Sequence, residues 1–100
     1  MFFLWDDWNT EHIARHGVEP LEAEEIVRHA RRPYPRNAGN DKFLVKGRTL
    51  GGRWLQVVFV HRGAEHVHLP LLLPSERLAL IQGEHAVYVI HSRDIRRGER

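Results

Sequence analysis

The sequence contains no cysteine, so neither a disulfide framework nor a thiolate metal centre is open to it. That composition fits a reducing compartment, and a cytoplasmic location is expected. Long apolar runs are missing too. Leu69 to Leu73 is broken by Pro70, and no uninterrupted run exceeds five residues, far short of the roughly 20 needed to cross a bilayer. Asp6 and Asp7 interrupt the apolar start Met1 to Trp5 almost at once, which leaves no room for a secretory signal. A soluble protein with no membrane partner is expected. No internal repeat and no low-complexity segment occurs. One hundred residues suffice for one core and not for two, so residues 1–100 read as a single domain.

Neither sign of charge dominates, since 15 Lys and Arg stand against 13 Asp and Glu for a formal +2. The distribution says more than the sum. Acidic residues crowd Asp6 to Glu25, whereas basic ones crowd Arg28 to Arg62 and Arg93 to Arg100. The sequence pI is about 9.5, and eight histidines add positive charge as pH falls through roughly 6.5. A basic side on a small domain suggests a polyanionic partner, either nucleic acid or an acidic protein. An ordinary solvated surface is the plain alternative.

The stretch Lys42 to Arg62 reads as a β-hairpin. Lys42 to Lys46 and Trp54 to Val60 are rich in β-branched and aromatic residues, with Gly47, Gly51 and Gly52 between them. Strand side chains alternate between faces. Phe43 and Val45 therefore oppose Lys42, Leu44, Lys46 and Arg48, while Leu55, Val57 and Phe59 oppose Trp54, Gln56, Val58 and Arg62. The apolar middle of the second strand suits a central position.

Around this hairpin, Met1 to Trp5 reads as a first strand. Asp6, Asp7, Asn9 and Thr10 offer capping oxygens for a helix over Trp8 to His16, with Trp8, His12 and Ile13 turned inward and Gly17 as its stop. Pro20 opens a second helix in which Ala23, Ile26, Val27 and Ala30 recur at core spacing. Its acidic start and basic end both favour the helix dipole. Pro33 stops it, and Arg31 to Asp41 reads as a loop. Ser75 caps a short helix to Gln82 with Leu78 and Ile81 inward, and Ala86 to Ile90 makes the last strand. The expected architecture is α+β, with two N-terminal helices packed on one face of a mainly antiparallel sheet of about four strands.

Two blocks carry a family resemblance. They are WDDWNTEHIARHGVEPLEAEEIV, Trp5 to Val27, and GRTLGGRWLQVVFV, Gly47 to Val60, followed by VYVIHSRD, Val87 to Asp94. In order and spacing these resemble the BrnT toxins of prokaryotic type II toxin–antitoxin systems. The resemblance implies a RelE-like fold, endoribonuclease activity without a cofactor, and neutralisation by a ribbon-helix-helix antitoxin. It implies also that Ala64 to His85 is an insertion before the last strand. Arg15, His16, Arg48, Arg53 and Arg93 match the family's recurrent polar positions.

Metal-independent RNA cleavage needs a proton acceptor for the 2′-hydroxyl, a proton donor for the leaving oxygen, and cations on the phosphate. Arginine suits the last task because its fork pairs with phosphate oxygens two at a time. Arg48, Arg62 and Arg93 stand at or just beyond strand ends, from which they are expected to converge on one phosphate. His61 or His91 is the expected proton carrier. Arg15, His16, Arg53, Arg96 and Arg97 are the expected RNA-binding set, and Trp54 and Tyr88 could stack on bases or pack in the core. His66 and His68 share a face if extended, beside Glu65, but no second pair has zinc spacing, so no metal site is expected. The run Leu69 to Leu73 marks either a partner surface, for a homodimer or an antitoxin, or packing under the sheet. The rival to a nuclease is a catalytically inactive protein of this fold that binds protein or nucleic acid. A small DNA-binding regulator is weaker, since no helix-turn-helix pattern is present.

Overall fold

Along the chain the elements are β1 (Phe3–Leu4), α1 (Asp7–Ala14), α2 (Pro20–Arg28), β2 (Arg36–Asn37), β3 (Phe43–Arg48), β4 (Trp54–Arg62), α3 (Pro74–Ile81) and β5 (Ala86–Asp94) in the computed structural model, which describes residues 1–100. The strands form one mixed sheet in the order β1-β5-β4-β3-β2, antiparallel except for β1 beside β5. The α+β expectation holds. α1 lies against β5, and α2 against β3 and β4. The sheet has five strands rather than about four, because Arg36 and Asn37, read from sequence as loop, pair with Leu44 and Phe43. Only two residues pair there, too few to leave a period in the sequence.

Alternation along the hairpin decides which side is core. The pairs Phe43–Phe59, Val45–Val57 and Gly47–Leu55 face the helices, and Leu44–Val58, Lys46–Gln56 and Arg48–Trp54 face away. Val45, Leu55, Val57 and Phe59 join Val87 and Val89 of β5 and Ile13, Ala23, Ile26 and Val27 of the helices in one buried cluster. Each fully buried Val, Leu or Ile contributes about 1.5–3 kcal/mol, so a slip of one residue in register, exposing a whole row, is strongly disfavoured. α2 packs close over Gly47, where a Cβ would just touch Ile26 Cδ1 at 3.4 Å.

Local signals set the helix ends. The Asp6 carboxylate accepts from the Asn9 N–H at 3.0 Å, and the Asn9 side chain accepts from the Asp6 N–H at 2.8 Å, so α1 begins at Asp7. Gly17, at φ +69°, closes it, with the Val18 N–H donating to Ile13 and the Gly17 N–H to Ala14. The inward stripe of α1 differs from expectation. Asn9 and Ile13 are buried, while Trp8 is 55% exposed and stacks on His12. The reciprocal cap fixes the rotation of the helix, and the Asn9 amide reaches in to the Leu4 carbonyl at 3.0 Å.

Ala64 to His85 holds two short 3-10 turns and α3. α3 starts at Pro74 behind Leu73, not behind Ser75, and Glu76 accepts from the Leu73 N–H. Leu80 is its buried residue. Leu78 and Ile81, expected inward, are 54% and 67% exposed, because α3 packs chiefly on the turn Ala64–His66.

β5 extends four residues past the expected Ile90. Val89 pairs with Phe59 and His91 with Val58, which leaves Ile90 as the extra residue of a bulge. Without it, residues 87, 89, 91 and 93 would share a face. The bulge reverses the alternation, so Val87 and Val89 enter the core while His91 and Arg93 emerge on the open side.

Candidate nucleic-acid interface

The sheet face opposite the helices is half-buried and cationic. Its rows are Arg48–Trp54, Lys46–Gln56–Arg93, Leu44–Val58–His91 and Val60–Tyr88, with Arg62 beyond. β1 pairs only with Val87 and Tyr88, so α1 flanks the rest of β5 and brings its outer residues to the rim of this face. Trp8, His12 and His16 recur there at one-turn spacing. The His91 ring stands edge-on to His16 and His12, at centroid distances of 5.1 and 5.9 Å. His12 stacks on Trp8 at 4.8 Å, and Trp8 faces Tyr88 at 6.4 Å. The Tyr88 hydroxyl donates to the Asp6 carboxylate at 2.9 Å, and the Arg62 guanidinium lies 5.0 Å from the Tyr88 ring centre.

Electrostatics sort these groups. Burial holds the His91 imidazole below the ordinary histidine range, and the neighbouring His16 and His12 rings and the Arg93 guanidinium lower it further. His91 is therefore held neutral at neutral pH. Burial, followed by the hydrogen bond to Asp6, pushes the Tyr88 phenol up to about 12. It stays protonated and acts as a donor. Arg93 donates to both oxygens of Glu99, at 3.1 and 3.0 Å, and to the Asp94 carbonyl at 3.0 Å. The Arg93 hydrogen bonds, then the Arg96 backbone N–H, hold the Glu99 carboxyl at about 2.

Three corrections to the expected site follow from the register. Arg48 lies beside Trp54 at one end of β4 and Arg62 at the other, eight residues on, which is about 26 Å at ~3.3 Å per residue. Arg93 lies beside Gln56, six residues from Arg62, or about 20 Å. The three arginines share a face and do not meet on one phosphate. His61 sits on the helix side, near Phe43, Phe59 and His85, so it cannot act with His91. Arg53 is not free for RNA. All five of its N–H groups are engaged, by Asp94, Glu22 and the carbonyls of Gly17 and His16.

The remaining expected residues keep their places at the surface. Arg15, His16, Arg48, Arg96 and Arg97 are exposed, and the Arg100 guanidinium lies 5.0 Å from the Trp54 ring centre. No family model, curated protein or solved structure matches this chain. His66 ends a 3-10 turn and His68 follows it, so the extended pairing of the two is not formed. No group of three or more His, Asp or Glu is placed to hold a metal ion. Between β1, β5 and the segment Ala64–His85 lies an open cleft of about 470 Å³, lined by Trp5, Asp6, Arg62, His68, Leu72 and Tyr88 among others.

His12, Trp8, Lys46 and Glu99 are functional candidates that sequence reasoning passed over. The i, i+4 spacing of Trp8, His12 and His16 was the available signal for the first two, once the Asp6–Asn9 cap is seen to turn Asn9 and Ile13 inward. Glu99 carried none, because its pairing with Arg93 depends on the path of the chain after β5.

Proposed function

We propose that this chain is a metal-independent endoribonuclease, the BrnT-like toxin of a type II toxin–antitoxin pair with a RelE-like fold, neutralised by a ribbon-helix-helix antitoxin. The observation that carries the reading is the contact of His91 with His16 and His12 beside Arg93 on an open, cationic sheet face. The motifs in Trp5–Val27, Gly47–Val60 and Val87–Asp94 support it from the sequence side.

In this reading His91, kept neutral, takes the proton of the 2′-hydroxyl. The 2′-oxygen bonds to phosphorus, the bond from phosphorus to the 5′-oxygen breaks, and exposed His16 gives that oxygen its proton. Arg93 bears on the nonbridging oxygens as charge builds. The products are a 2′,3′-cyclic phosphate and a 5′-hydroxyl, and no cofactor takes part. Trp8 and Tyr88 offer faces on which flanking bases stack. Leu71, Leu73, Leu78 and Ile81 are exposed apolar residues available to a partner, whether an antitoxin or a second copy in a homodimer.

The test is cleavage of RNA by the purified chain in chelator, with end-group analysis of the fragments. His91→Gln should lower the rate by about 10²–10⁴-fold, the usual worth of a general acid or base. Intact RNA with the wild-type chain, or full activity in H91Q, sinks the proposal. One observation favours a second reading, a catalytically silent binding module. Glu99 and Asp94 already neutralise Arg93 and Arg53. Under that reading RNA or an acidic partner is bound and left uncut.

A further inference from the structure

We infer that Arg93 and Lys46 form an oxyanion subsite, that Glu99 fills it in the free chain, and that a backbone phosphate of RNA displaces the Glu99 carboxylate on binding. The inference rests on the ribonuclease reading and names the contact by which the strand is gripped.

A guanidinium receives carboxylate and phosphate through the same pair of parallel N–H groups. Glu99 occupies that pair on Arg93 at 3.1 and 3.0 Å, so the receiving geometry is already formed. Lys46 stands in the same cross-strand row, with Gln56 between, and its ammonium donates to the Glu99 carbonyl at 3.1 Å. Both cations project from paired strands of the sheet, which fixes their spacing. Glu99 is the sole carboxylate on Arg93, because the neighbouring Asp94 is turned to the helix side and held by Arg53.

The occupant is held less firmly than the site. Glu99 belongs to a three-residue 3-10 turn, Arg97–Glu99, that buries none of its residues. The turn rests on the open face through the Arg93 pair, the Lys46 contact and Arg100 against Trp54. Ile95, before it, is buried and anchors the end of β5. Lifting Arg97–Arg100 therefore exposes no core, and it uncovers Arg93 two residues from His91. Surface ion pairs contribute little to folding, so the contact matters more for what it keeps out. A ligand whose site is partly self-occupied binds more weakly in proportion to the free fraction.

The experiment measures binding of a 2′-O-methylated, uncleavable RNA strand by fluorescence anisotropy, with wild type, Glu99→Gln, Arg93→Ala and the double variant. Removing the competitor should tighten binding by about five-fold in E99Q, the scale on which a surface ion pair is released. Glu65→Gln removes the same charge elsewhere and should change affinity by less than about two-fold at moderate salt. In an R93A background, with folding checked by circular dichroism, E99Q should add nothing. Where wild type binds the strand, no gain in E99Q, or a gain that survives in R93A, overturns the inference even if wild type cleaves RNA normally. Inorganic phosphate separates the two readings. A phosphate-dependent shift of the Arg93 side-chain NMR signal in E99Q at lower concentration than in wild type, with no RNA bound by either, supports the subsite and removes the ribonuclease.

Discussion

Arg53 is the residue whose loss should be felt farthest. It ends the turn that Thr49 begins, just before β4, and its guanidinium reaches three elements at once. It donates to both oxygens of Asp94 on β5 at 2.7 and 2.9 Å, to Glu22 of α2 at 3.1 Å, and to the carbonyls of Gly17 and His16 at 2.7 and 3.2 Å. Hydrogen bonds to a charged group contribute about 1.5–3 kcal/mol each when sheltered. Arg53 is 28% exposed but Asp94 is 59% exposed, so the Asp94 share falls to ~1 kcal/mol or less, as for surface pairs. Arg53→Ala should then cost about 2–3 kcal/mol, which for a domain of this size lowers the melting temperature by about 10–20 °C. Arg53→Lys keeps the charge without the fork and should recover no more than about half. The assay is thermal unfolding followed by circular dichroism. A melting temperature for R53A within about 3 °C of wild type would refute the argument that this arginine ties the helices to the sheet. It would return Arg53 to the pool of residues available for RNA.

Acid should weaken the fold in two stages. Burial, assisted by neighbouring histidines, lowers the proton affinity of His91 and His61. The unfolded chain therefore binds more protons between their folded values and the ordinary histidine value. Stability from this source is complete above pH ~6.5 and is lost as pH falls through the folded values. A urea midpoint that does not fall between pH 7.5 and pH 5.5 contradicts this, and H91Q should flatten the change. Asp94 and Glu99 are lowered carboxyls, Glu99 to about 2. Their contribution is present above the ordinary carboxylate values and disappears as pH drops further, so a second weakening follows in strong acid. Asn9→Ala removes the acceptor for the Asp6 N–H and the donor for the Leu4 carbonyl from a fully buried site. It should cost about 2 kcal/mol, the sum of a lost cap and a stranded polar group. A chemical-denaturation curve overlaying that of wild type would show that the Asp6–Asn9 exchange does not hold α1.

What could be read without coordinates was local. Alternation in Phe43–Arg48 and Trp54–Arg62 told which side chains share a face, since a pleated strand must point successive residues to opposite sides. The stop at Gly17, the proline start of α2 and its spacing of Ala23, Ile26 and Val27 were equally plain, because caps and helical period act within a few residues. Pairing across the sheet decided the rest. The bulge at Ile90 depends on how β5 meets β4, and it alone turns His91 and Arg93 out of the core side. The separation of Arg48 from Arg62 is a matter of register, the capture of Arg53 depends on α1, α2 and β5 arriving together, and Glu99 meets Arg93 only because the chain folds back after β5. Such contacts join residues far apart in the sequence, and no period or motif records them. Residue type supplied the candidate chemistry here; distance in space chose which residues can share it.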